Sequence, residues 1–221
     1  MTANTMPIFP LNTVLFPGMP LNLHIFESRY RLMINQLMNQ DPTFGVVLIK
    51  RGLEAYGPLA EPHPVGTRVR IVKVDPLPQG HFNITVVGEQ RFRVKSLCQE
   101  QPYLTAETED YPIDFKRPLD VYRRIRFLRN HVQYYLRTVN RLDDVGLDLE
   151  QLEMPDDPFT LIFLAASLLQ IPAHEKQPAL CAQSAFEIIT IVERLYRREN
   201  AVLRNLIDIT AEQAQNYALL N

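Results

Sequence analysis

The chain of 221 residues has no tryptophan, two cysteines, eight glycines and a net charge of only −2. Each scarcity removes a class of protein. A near-neutral balance supplies no bulk field for a polyanionic partner. Two cysteines as distant as Cys98 and Cys181 make no disulfide framework, and they are expected as free thiols in a cytoplasmic protein. Uncharged apolar runs fall far short of the roughly 20 residues that a membrane span needs. The opening MTANTMPIFP has neither the basic start nor the long apolar stretch of a secretory leader.

Chemistry is equally sparse. Gly52 and Gly57 have the separation of a P-loop, but Pro58 and Leu59 stand where Lys and Ser/Thr would hold phosphate and magnesium. The five histidines, at 24, 63, 81, 131 and 174, form no ligand pair with each other or with cysteine. His174-Glu175 begins an HExxH-like string that ends at Pro178. There is no G-x-S-x-G, and the four serines are Ser28, Ser96, Ser167 and Ser184. A Cys-His pair could meet only in space and stays open in the sequence, but no set of nucleophile, base and orienting group is visible, so neither an enzyme nor a cofactor is expected.

What the sequence does contain is two kinds of pattern. Twelve of the 17 prolines precede residue 113, and this half alternates like a β protein. Phe82, Ile84 and Val86 take turns with His81, Asn83 and Thr85, the period of a half-buried strand. Pro78-Gln79-Gly80 joins that strand to Arg68–Val74 as a hairpin. Gly88 marks a bend or bulge before Arg91–Leu97, where Phe92 and Val94 share a side. Residues 44–50, FGVVLIK, predict an apolar strand, and 51–66 an exposed loop.

After Pro118 the period changes. Leu119, Tyr122, Ile125, Leu128, Val132, Tyr135 and Val139 recur every three or four residues, one stripe of a long helix. Asp157-Pro158 starts another helix, which Pro172 obliges to stop near Gln170. Ser184 and Glu187 match a capping box before a last helix whose inner face is Ile188, Val192, Leu195, Leu203 and Leu206. The expected fold is therefore α+β, with a β-rich module at 1–113 and a helical bundle at 114–221. Arg123, Arg124, Arg126 and Arg129 could hold phosphates, but such a cluster is also the ordinary solvated side of an amphipathic helix.

One stretch is more specific. PIFPLNTVLFPGMPLNLHIFESRYRLMINQLM resembles the start of the Lon protease N-terminal, substrate-binding domain. The matching residues are Pro10-Leu11, Val14 to Gly18, Leu21, Leu23, Ile25-Phe26-Glu27, Arg29-Tyr30-Arg31 and Met33. The likeness continues through Val65-Gly66-Thr67, Ile71, Pro78-Gln79-Gly80, Val87-Gly88 and Arg91-Phe92-Arg93-Val94, then Asp157-Pro158 and Glu175-Lys176-Gln177. It implies a PUA-like pseudo-barrel with one short helix, followed by helices. Within it Pro17-Gly18 turns the chain, Leu21, Leu23 and Ile25 alternate on a short strand, and Phe26-Glu27 makes a corner. Glu27 and Arg29 lock that bend, and Tyr30, Met33 or Ile34, and Leu37 form the inner face of a helix. Where the family often has Pro, this chain has Ser28, a residue able to cap the helix instead.

With no Walker A and an end at Asn221, the resemblance implies a stand-alone, non-catalytic, ATP-independent relative lacking the ATPase and Ser-Lys protease modules. Its partners would be an unfolded or client polypeptide and a protease or chaperone that it serves as adaptor. The candidate contact residues are Phe16 and Met19 on the Pro-Gly loop and Met33 and Met38 on the first helix; core packing is the alternative for each. Binding of RNA, which PUA-like modules also perform, is the alternative function, against which the charge balance weighs. Neither client nor oligomeric state is legible.

Overall fold

A computed structural model of the chain describes residues 5–54, 60–143 and 154–219. Gly57, Pro58 and Leu59 of the P-loop comparison therefore lie outside the described residues. The architecture is α+β, β-rich at the front and helical at the back. Its elements are β1 (Thr5–Leu11), β2 (Pro20–Ile25), α1 (Ser28–Met38), β3 (Thr43–Arg51), β4 (Glu61–Pro62), β5 (Val65–Pro76), β6 (Phe82–Cys98) and β7 (Leu104–Asp110). Helices α2 (Pro118–Asp143), α3 (Pro158–Leu168), α4 (Ala173–Cys181) and α5 (Ala185–Leu219) follow.

The chain separates into two compact units. One joins Met1–Asp114 to Ala166–Gln183; the other joins Phe115–Ala165 to Ser184–Asn221. A single cut near residue 113 would have left α4 with the helices. Polar ties explain why it goes with the sheet. Arg91 of β6, 3% exposed, donates from Nη1 to the carbonyls of Leu180 and Ala182 at 2.7 and 2.6 Å, and from Nη2 to that of Pro112 at 3.2 Å. These bonds satisfy carbonyls that the end of α4 leaves without helical partners. Tyr111 Oη donates to the carbonyl of Cys181 at 2.9 Å, and Gln177 Nε2 to that of Val65 at 3.0 Å.

In the sheet unit, β1 pairs antiparallel with β7 through Thr5–Ile8 and parallel with β3 through Ile8–Leu11. Pairings β7–β6, β6–β5 and β5–β3 complete a circuit of five strands back to β1. Alternation along β1 sends Met6 and Ile8 to one face and Phe9 and Leu11 to the other. Phe9 and Leu11 join the main core with Tyr30, Met33, Ile34 and Leu37 of α1, while Met6 and Ile8 pack with Phe92 and Val47. Phe92 lies so close to β3 and β5 that a Cβ on Gly45 would sit 2.6 Å from its ring. One on Gly66 would sit 2.4 Å from the Val46 carbonyl oxygen.

The hairpin around Pro78-Gln79-Gly80 is present, with Gln79 and Gly80 at φ of 63° and 72°. The irregularity expected at Gly88 is a bulge. Arg68 faces Gln90 and Val69 faces Gly88, so Glu89 is the extra residue, and its carboxylate accepts from Arg70 Nε at 2.5 Å. The tail of the expected 51–66 loop is instead ordered into β4 and the start of β5. Pro62, Val65 and Gly66 are buried there, because β3 offers an edge for Glu61–Pro62 to pair with.

The helical unit follows its stripe with two corrections. Val121, Ile125, Leu128, Val132 and Tyr135 of α2 are buried, but Leu119 and Tyr122 are 73% and 52% exposed. The inward line starts at Val121, and Leu119 sits in the first turn, two residues from it and so on another face. On α5, Ile188, Val192 and Leu195 are buried while Leu206 is 47% exposed. Both expected caps are present: Asp157 Oδ2 accepts from Thr160 N at 2.8 Å, and Ser184 Oγ from Glu187 N at 3.2 Å.

Candidate functional site

The Pro-Gly loop is fixed to the sheet by main-chain hydrogen bonds, with Gly18 exposed at its tip. Phe16 O accepts from Met19 N at 3.2 Å, with Pro17 and Gly18 between them and Gly18 at φ +79°, the conformation a type II turn requires of its third residue. Gly18 N donates to Gly88 O at 2.8 Å and Gly88 N to Met19 O at 3.0 Å. A Cβ on Gly88 would meet the Phe16 carbonyl oxygen at 2.6 Å, so only glycine admits this approach.

That seating corrects two of the four candidate contact residues. Phe16 and Met33 are both 0% exposed, because the loop folds Phe16 inward and Met33 lies on the core face of α1. Met19 is half-buried, and Ser167 Oγ points at its sulfur at 3.3 Å. Met38, the last residue of α1, is 50% exposed.

At the corner, Arg29 pairs with Glu27 at 2.9 Å and lies 4.7 Å above the Tyr30 ring. Ser28 is the first helical residue; the cap position is Glu27, and neither side chain caps the helix. The expected Ser28 cap is thus absent, since helical geometry begins one residue earlier than a Ser28 cap requires.

A groove of about 310 Å³ opens beside this corner. Its floor is the stacked pair Phe9 and Tyr30, ring centroids 4.0 Å apart, with Ile25. Its other lining residues are those of β2 from Asn22 through His24, Phe26 and Glu27 at the corner, and Leu11 and Glu54. Glu54 Oε2 accepts from Asn12 N at 2.8 Å. Burial pushes the Tyr30 phenol up to about 12, a rise that Glu27 and Glu54 support and Arg29 opposes. Among the described residues no lysine or arginine lines the groove, so its walls are acidic above an aromatic floor. The sequence signalled this site only through Tyr30 and the Phe26-Glu27 corner; Phe9 and Glu54 come from elements distant in sequence.

Of the four clustered arginines on α2, Arg124 and Arg129 are turned to internal tasks, whereas Arg123 and Arg126 are exposed. Arg124 reaches Glu193, 2% exposed, at 2.6 Å and Thr190 at 2.6 Å. Arg129 donates to the carbonyls of Met154 and Pro155 at 3.2 and 2.9 Å. Among the described residues no three His, Cys, Asp or Glu side chains converge as a metal site would need, and no helix is long and apolar enough to cross a membrane. Cys98 and Cys181 are free.

The same arrangement of strands and helices occurs in Lon N-terminal domains. A Lon N-terminal domain protein from Xanthomonas campestris superposes with a TM-score of 0.58 at 24% identity, covering 87% of this chain and 96% of that one. The N-terminal domain of a Mycobacterium avium complex Lon protease gives 0.65 at 15% identity, over 88% and 98%. The model of the ATP-dependent protease La (LON) substrate-binding domain matches residues 5–197, and the chain belongs to that family. It is 29% identical to a Lon protease of Anaeromyxobacter dehalogenans and to Lon protease 2 of Myxococcus xanthus, in each case over 92% of its own length. It spans only about a quarter of those curated relatives, 24% and 25%.

Proposed function

We propose that this chain is a non-catalytic polypeptide-recognition module, acting in the cytoplasm as an adaptor that presents unfolded client segments to a protease or chaperone. The observation that carries the reading is the aromatic-floored groove beside the Phe26-Glu27 corner, set in a domain of the substrate-binding family. Transient contact with unfolded chain is largely hydrophobic, and the half-buried Leu23 and Phe26 supply accessible apolar surface over the buried Phe9, Tyr30 and Ile25, beside polar groups that fix orientation. Met38 is an adaptable contact at the exposed end of α1, and Met19 a partial one. The five-strand circuit serves as the PUA-like pseudo-barrel that holds the groove in shape. RNA binding is the weaker reading, because Arg124 and Arg129 are engaged within their own unit.

The test is binding of fluorescein-labelled, reduced and carboxymethylated α-lactalbumin, followed by anisotropy. Saturable binding of this unfolded chain, absent with native lactalbumin and weakened at least fivefold by Phe26→Ser or Glu54→Lys, is the expected result. No binding by the folded wild-type chain overturns the reading, and a salt-sensitive gel shift with single-stranded RNA would replace it.

A further inference from the structure

The groove has a second component besides its aromatic floor. Strand β2 pairs on one side only, with β6, through six successive residue pairs without a register shift. Among the described residues nothing pairs with its other side. The groove lies along that open side. Asn22, Leu23, His24 and Ile25 line it, and among its described lining residues none belongs to β6, the strand paired with the other edge.

Among the described residues this edge carries no lysine, internal proline or bulge. Open strand edges pair with any passing chain unless a lysine, an internal proline, a bulge or a cover prevents it. β2 reads Pro-Leu-Asn-Leu-His-Ile, with proline only at its first position and no charge. It is also held straight and ready. Asn22 Oδ1 accepts from Thr85 Oγ1 at 2.8 Å, and His24 Nδ1 and Asn83 Oδ1 are 2.8 Å apart, so the outward face of β2 is fastened to β6 while its edge is left open. Preformed backbone of this kind costs a ligand little further ordering.

We propose that the groove takes its polypeptide as an added β-strand on the open edge of β2, and that it selects a large apolar residue flanked by lysine or arginine. Main-chain hydrogen bonds to β2 give affinity irrespective of sequence, and pockets for alternate side chains give selectivity. The apolar side chain rests on Leu23 and Phe26, above the buried Phe9 and Tyr30. Glu54 and Glu27 favour the basic neighbours; Arg29, paired with Glu27, offsets part of this, leaving the walls net negative. The proposal rests on the polypeptide-binding reading above and adds its mode and its preferred sequence.

The probes are labelled octapeptides: KVKVFVKV, its glutamate counterpart EVEVFVEV, and two forms of the first that are N-methylated on alternate residues, odd or even. The lysine peptide is expected to bind at least tenfold more tightly than the glutamate peptide, with the gap shrinking as salt rises. One methylated form is expected to lose binding tenfold or more and the other to stay within threefold, because a strand pairs through one edge. Hydrogen exchange should slow at amides within 21–25 on binding. If lactalbumin binds but both methylated peptides bind like the parent, or protection appears away from β2, strand addition is wrong while polypeptide recognition stands. If the glutamate peptide binds as well as the lysine peptide, the charge preference falls. If neither lactalbumin nor any peptide binds, both conclusions fall together.

Discussion

Arg91 in the sheet unit and Arg124 in the helical unit both reach inward, yet they meet different things. Arg91 answers three main-chain carbonyls and no carboxylate among those bonds. Arg124 answers the carboxylate of Glu193, two helices being joined side chain to side chain. The contrast extends to packing. In the sheet unit Gly45, Gly66 and Gly88 bring backbone and rings within the space of a methyl group, so fit depends on atoms that are missing. In the helical unit fit depends on atoms that are present, along the stripe from Val121 to Tyr135 and against Tyr196. One unit is fixed by close backbone approach, the other by side-chain periodicity.

The sharpest way to break this comparison is Gly66→Val. Its Cβ would meet the Val46 carbonyl oxygen and Val47 Cγ1 at 2.4 and 2.5 Å, so strands must part, and a loss of about 3 kcal/mol is expected. Urea denaturation measures it, and a loss below about 1 kcal/mol would show that the sheet yields easily. In the helical unit, Arg124→Ala leaves the buried Glu193 carboxylate with Arg197 at 3.8 Å, at an expected cost of about 2 kcal/mol. The double variant with Glu193→Leu should recover most of that loss; if it does not, Arg124 acts through its packing over Phe186 instead.

The pH dependence separates burial from bonding. Burial raises the Tyr30 phenol to about 12, above the value near 10 of the unfolded chain. The unfolded state therefore loses its proton first. The associated stability is complete below pH 10 and falls by roughly 2 kcal/mol as pH approaches 12. Tyr30→Phe should flatten that alkaline decline, leaving the parts due to Tyr196 and Tyr103, both also raised by burial. An unchanged slope would mean that the phenol is not held as buried. The smallest effect is expected of Ser28→Pro. Ser28 occupies the first helical position, where proline fits, so stability should hold or rise by about 0.5 kcal/mol. A thermal midpoint lowered by several degrees would mean that helical geometry starts later than Ser28.

Much of the frame is legible without coordinates. The alternation around Ile84, the Pro78-Gln79-Gly80 turn and the caps at Asp157 and Ser184 are local signals, and each appears where its chemistry puts it. The contact residues fared otherwise. Phe16 and Met33 look like available hydrophobic groups in one dimension, but the loop's two bonds to Gly88 and the core face of α1 hide them. Leu119, Tyr122 and Leu206 fit a helical stripe and are nonetheless exposed, because a period says which residues share a face and not where along the helix a neighbour lies.

What the sequence determined by itself is the order of elements, the turns between them and membership of the Lon substrate-binding family, since these depend on residues near one another and on their spacing. Only the tertiary structure decided that α4 joins the sheet, that Phe9 stacks on Tyr30, and that β2 keeps one edge unpaired among the described residues. Each of those depends on which distant strands share hydrogen bonds, a choice made by register and closure of the whole sheet, and no local period encodes it.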